Sequence, residues 1–172
     1  MQNAYGERIS WKDSSPVPLY VHTSFPPQML PALQAAIDHW QSVIGRPVFR
    51  IAQTGYQSSG PRQDGVNVIY WMQNWEAEKA TEQARTSVYW VGDQIREADV
   101  RLNNKNFNFY LGQSGSSKDV HMESLLVHEL GHVLGLKHKD DSQSVMGTYL
   151  SGGTIRTAIS PADRDNIKCE YN

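Results

Sequence analysis

The chain has 172 residues, 39% hydrophobic and 20% charged, and its sixteen basic and eighteen acidic side chains leave a net charge of −2. That length suits one domain, 1–172, with a core that needs no staples; the charge gives no footprint for nucleic acid or an anionic membrane, and no apolar run is long enough to span a bilayer. The single cysteine, Cys169, excludes an internal disulfide framework and is expected as a small buried side chain in the last helix. Residues 1–11 are polar with no signal-peptide core, so the chain is expected to be either cytosolic or a form from which an export signal has been removed. It offers no sizeable apolar stretch that calls for a partner, which points to a monomer.

In chain order, residues 17–22 read as a first strand, with Pro16 and Pro18 placing its start near a sheet edge. Leu30, Leu33, Ile37, Trp40 and Ile44 then recur at steps of three and four, the apolar face of a helix opened by Pro26, Pro27 or Pro31 and closed by Gly45 and Pro47. A second strand is expected at 48–52, a turn-rich loop at 53–65 and a third strand at 66–71. Residues 75–85 are polar and read as a loop with room for a short helix; strands four and five follow at 86–91 and 98–103. The Asn-, Gly- and Ser-rich stretch 104–117 leads to a helix expected to start near Asp119 as N-cap. Ser160, Pro161 and Asp163 announce a final helix to about residue 170.

The chemistry is concentrated in one stretch, from His128 to His138. On a helix, His128 and His132 share a face, offset by about 40° and about 6 Å along the axis, a spacing that suits two imidazoles on one metal ion. Gly135 can take the left-handed conformation that ends a helix, so the chain turns back and offers His138 to the same ion. Three neutral nitrogen donors with a fourth position open is the layout of a catalytic zinc site, since structural zinc sites are closed by four protein ligands. Glu129 points about 100° around the helix from His128, beside the ion, where it can act as general base on a metal-activated water and return the proton to a leaving amine.

The string His128-Glu129-x-x-His132-x-x-Gly135-x-x-His138, followed by Ser144-Val145-Met146-Gly147, resembles the metzincin clan of zinc endopeptidases with its Met-turn. The eight-residue gap from His138 to Met146 is similar to that of the matrixins, the matrix-metalloproteinase-like family, with small bacterial members as the expected relatives. The resemblance is strongest over 117–146. It implies an α+β catalytic domain in which a twisted mixed five-stranded sheet and two long helices form an upper lobe, about 1–138. A small lower lobe, about 139–172, would carry the C-terminal helix, with the active-site cleft between the lobes. Met146 would lie under the ligands as an apolar floor. The fourth strand, with Thr86, Ser87, Val88, Tyr89 and Trp90, would be the sheet edge to which a peptide adds as an extra strand. A secreted or periplasmic location is likewise implied.

The resemblance also suggests where specificity lies: a pocket behind the metal, between the catalytic helix and residues 147–157. Ser124, four residues before His128, stands where a small side chain leaves that pocket open to a medium or large apolar residue; alternatively Arg156 reaches in and shortens it. Tyr149 is expected as a wall of this pocket, with an oxyanion-donor role the lesser alternative. His121 lies about 10.5 Å along the helix from His128 and cannot share the ion; it is expected to be a surface or hydrogen-bonded residue. His22 and His39 have no partner spacing. The chain departs from the family pattern in three places. No histidine occurs in 65–85, so a second, structural zinc is not expected. Lys139 after the third ligand matches none of the larger metzincin families. No cysteine precedes the helix to serve as a latch. Asp140 and Asp141 could touch calcium, but two exposed acids are more often solvated.

These residues point to a zinc metalloendopeptidase with one catalytic Zn²⁺ and protein or peptide substrates. The alternatives are a zinc hydrolase of a non-protein amide and a zinc-holding module that captures extended peptides without turnover.

Overall fold

The computed structural model describes residues 1–12 and 16–171; the side chain of Cys169, and with it the buried role expected for that thiol, lies outside the described residues. In chain order the elements are β1 (Val17–His22), α1 (Leu30–Ile44), β2 (Phe49–Tyr56), β3 (Val68–Met72), β4 (Ala84–Val91), β5 (Gln94–Asn103), β6 (Phe109–Tyr110), β7 (Val120–His121), α2 (Met122–Val133) and α3 (Pro161–Tyr171). Strands β2-β1-β3-β5-β4 make one five-stranded sheet, parallel throughout except for β4, which runs antiparallel to β5 and forms one edge, with β2 at the other. This is the mixed-sheet α+β architecture expected from the sequence.

Alternation and periodicity put the apolar side chains in one core. Val17, Leu19 and Val21 point inward from β1, and α1 turns Leu33, Ile37 and Trp40 toward Leu126 and Leu130 of α2. Trp40 lies fully inside that seam, and its indole donates to Val127 O at 2.9 Å, satisfying the one polar atom it buries. A left-handed Gly45, φ 87°, ends α1 where the sequence places it. At the other end of the chain, α3 packs against α1 and sends the Tyr171 hydroxyl to Leu134 O at 2.9 Å, bracing the C-terminal end of α2.

Several boundaries differ from the sequence expectation. Strand β2 continues to Tyr56 instead of stopping at 52, because Gln53, Thr54 and Tyr56 keep pairing with β1 across two register shifts while their side chains stay in or near solvent. Strand β3 starts at Val68, since Asn67 spends its side chain on Pro18 O and Ala98 N. Strands β4 and β5 begin at 84 and 94, and a tight turn through Gly92, φ 62°, joins them. Helix α2 is capped by His121 and not by Asp119: Val120 and His121 are held extended by pairing with Phe109 and Tyr110, and the His121 ring accepts the Ser124 N–H. No helix is long and apolar enough to cross a membrane among the described residues.

Candidate metal centre and active-site cleft

Helix α2 is buried almost along its length, and Leu125, Leu126, Val127, Leu130 and Val133 anchor it between α1 and the sheet. Packing on that scale fixes the helix, so the two histidines on its remaining face are fixed with it. The helix ends at Gly135, φ 90°, whose N–H donates to His132 O while Leu136 N–H reaches Gly131 O. Gly135 is required twice, because a Cβ there would also press on Ile9 O at 2.5 Å.

The reversal brings three ring nitrogens together. His128 Nε2 lies 3.1 Å from His132 Nε2 and 3.2 Å from His138 Nε2, and the latter two are 3.0 Å apart. His128 Nδ1 is 2.7 Å from Val145 O, and His132 Nδ1 is 2.9 Å from Leu136 O. A carbonyl can only accept, so both Nδ1 atoms carry the proton and both Nε2 atoms present bare lone pairs. Lone pairs at this separation repel unless a cation lies among them. Tetrahedral zinc with bonds of about 2.0–2.1 Å would place its nitrogens about 3.3 Å apart, close to what the ring atoms adopt, so the donor set fits the ion. Burial, then the neighbouring His132, pushes the pKa of His128 down to about 3, and the same causes lower that of His138, so both are neutral as ligands must be. Among the described residues, these histidines are the one group of three or more His, Cys, Asp or Glu side chains able to hold a metal ion.

Glu129 is buried beside the triad. Burial pushes its carboxyl up, while His132 and the Thr86 hydroxyl, 2.5 Å from Oε2, pull it back. Met146 is fully buried and pressed so close to Gly131 of α2 that a Cβ on Gly131 would collide with its Sδ. The turn holding Met146 is pinned by Lys139 N–H to Met146 O at 2.9 Å and by Ser144 Oγ accepting from Met146 N at 3.0 Å. That serine in turn donates to Asp163 at the start of α3, and the Lys139 ammonium sits 2.6 Å from the same fully buried carboxylate.

A cleft of about 620 Å³ opens over the triad, lined on one side by residues 81–86 and on the other by Leu125 and residues 147–150 with Arg156. Of the residues expected to bind substrate, Thr86 and Tyr149 line it. Ser87, Val88, Tyr89 and Trp90 continue along edge strand β4 outside the cleft. Ser124 is buried behind the wall, where its hydroxyl accepts the Arg156 N–H at 2.7 Å. His121 is buried and hydrogen-bonded, Asp140 and Asp141 are solvent-facing, and His39 pairs with Glu123. Sequence reasoning missed Glu82, Gln83 and Arg85. They fall in a stretch read as mostly loop, yet Arg85 and Glu82 form a forked pair and Gln83 Nε2 donates to Leu150 O at 2.7 Å, bridging the two walls. The Glu-x-x-Arg spacing was the visible signal.

A family model for matrixins matches residues 28–172, so the chain belongs to the matrixin family, whose members are in general zinc metalloendopeptidases. It is similar to metalloendoproteinase 5-MMP of Arabidopsis thaliana, 36% identical over 52 residues. The match covers 30% of this chain and 14% of that relative's length.

Proposed function

We propose that the chain is a zinc-dependent endopeptidase that cuts extended protein or peptide substrates, with His128, His132 and His138 holding one Zn²⁺ and Glu129 as general base. The observation that carries this reading is the convergence of three imidazole Nε2 atoms beside a buried carboxylate, in a cleft bounded by a free sheet edge. Bound zinc supplies the positive field that brings the pKa of water to about 7 and offsets charge developing on the scissile carbonyl oxygen. Glu129 takes the proton from that water and delivers it to the departing amine. Thr86 donates to Glu129 Oε2 and holds the carboxylate in position. The Val145 and Leu136 carbonyls fix the rings of His128 and His132 through their Nδ1–H groups. Met146 supports the rings from below, and the backbone of β4 offers its unpaired N–H and C=O groups to the substrate main chain. We place this work outside the cytoplasm, as is typical of the family, and by a monomer.

The test is hydrolysis of unfolded protein by the zinc-loaded chain beside Glu129→Ala carrying the same one zinc per chain. Removing a general base should lower kcat by about 10²–10⁴-fold. Equal rates would remove Glu129 from the mechanism. If neither form cuts protein, the reading passes to the zinc-holding binding module or to hydrolysis of a non-protein amide.

A further inference from the structure

Arg156 lies where the segment after Met146 folds back on α2, and it is held from both ends. Its main-chain N–H donates to Ser124 Oγ at 2.7 Å, and that oxygen is 2.8 Å from Nδ1 of the capping His121. The backbone of Arg156 is thereby clamped to the first turn of the helix that carries His128. The guanidinium reaches the other way, with Nη1 donating to Ser142 O at 3.0 Å and Tyr149 O at 3.2 Å, and Nη2 donating to Gly147 O at 3.2 Å. A Cβ on Gly147 would stand 3.1 Å from Nη1, so the group runs directly beneath the residue that follows Met146.

The cation is incompletely matched. Of its five N–H groups, three meet carbonyl oxygens, whereas the buried Nε–H has no partner. Asp141 and Asp163 are felt as charges, yet neither forms an ion pair with Arg156. Arg156 also lines the cleft together with Leu125, Leu150 and His128. That wall offers apolar surface for the stem of a substrate side chain and an under-used planar donor for its end. An apolar end would cover the charge and leave Nε–H unpaired. A carboxylate or carboxamide supplies an acceptor for the two N–H groups the carbonyls leave, one on Nη2 and, with a turn of the guanidinium that uncovers it, the buried Nε–H.

We propose that Arg156 sets side-chain selectivity, so that the cleft takes a residue ending in a carboxylate or carboxamide (Glu, Gln, Asp or Asn) next to the scissile bond, whereas a small Ser124 alone pointed to an apolar one. This rests on the endopeptidase reading above.

The experiment is cleavage-site profiling of the zinc-loaded wild-type chain on a mixed peptide library, followed by kcat/KM on matched peptides carrying Glu or Leu at the selected position. The four acceptor-bearing residues should together be enriched at least tenfold over Leu, Met and Phe. In Arg156→Leu, with zinc content and melting temperature measured alongside, the Glu-over-Leu ratio should fall at least tenfold; Arg156→Lys, which keeps the charge and loses the fork, should fall between. A wild-type profile favouring Leu, Met or Phe overturns the proposal without recourse to any variant. So does an Arg156→Leu form that holds zinc and keeps the wild-type ratio. A zinc-loaded wild-type chain that cuts no peptide at all overturns the endopeptidase reading itself, and the proposal with it.

Discussion

Thr86 Oγ1 lies 2.5 Å from Glu129 Oε2, so the edge strand of the sheet and the carboxylate beside the histidine triad are joined by one hydrogen bond across the cleft. A hydroxyl donating to a charged acceptor contributes about 1.5–3 kcal/mol. If that bond orients the base for proton transfer, Thr86→Val should reduce kcat by about tenfold or more with little change in KM, and Thr86→Ser should recover most of the loss. An equal rise in KM with kcat intact would assign Thr86 to substrate binding alone.

The ion pair between Lys139 and Asp163 ties the residue after the third histidine to the start of α3. Burial pushes the Asp163 carboxyl up, but Lys139, Ser144 and Ser160 outweigh it and hold the group below the usual carboxylate range. A depressed acid contributes stability that is present above its ordinary pKa and is lost as pH falls through the folded value. Lys139→Met should destabilise the fold by about 3 kcal/mol, because it strands a buried charge, and adding Asp163→Asn should return part of that loss. Urea denaturation at pH 7 of the two forms measures it; a double variant no more stable than the single one would show that the charge is not the cause.

Asp99 behaves in the opposite sense. Burial, with Glu97 nearby, raises its carboxyl to about 6 even though Oδ1 accepts the Val68 N–H at 2.9 Å. An unfolded aspartate titrates at about 3.9, so between that value and about 6 the folded chain keeps a proton the unfolded chain has released. Its contribution is present in full below the unfolded value and declines as pH rises toward 6. The stability of wild type relative to Asp99→Asn should therefore fall between pH 4 and pH 6.5 and level off above. Parallel stability curves for the two proteins across that range would contradict this.

Gly131→Ala sets two effects against each other. Helix propensity favours alanine by about 1 kcal/mol, but the new methyl would collide with Met146 Sδ and stand 3.0 Å from Trp40 Cζ2, and overpacking a tight core costs about 1–3 kcal/mol. The clash should win and lower the melting temperature by several degrees, read by thermal denaturation with zinc bound. An unchanged or higher melting temperature would mean that Met146 swings aside freely.

Much of the fold was legible because its signals are local. The three-and-four spacing of Leu30, Leu33, Ile37, Trp40 and Ile44, closed by Gly45, matches α1, and the strand read at 17–22 matches β1. The end of β2 and the start of β5 were not legible, because both are polar or mixed: Gln53–Tyr56 are held by pairing with β1, a strand distant in the chain, and Gln94–Glu97 by the hairpin with β4 across Gly92.

The same division runs through the site. The sequence by itself determined the histidine spacing, the carboxylate beside it and the glycine that turns the helix, since each depends on helical geometry and one backbone conformation within eleven residues. Only the tertiary structure decided that Thr86 meets Glu129, that Lys139 pairs with Asp163, and that Arg156 is clamped between Ser124 and the carbonyls of the turn around Met146. Those partners stand 43, 24 and 32 residues apart. No period or propensity links residues at such separations; they meet because burying the apolar faces of α1, α2 and the sheet leaves the chain one compact way to close.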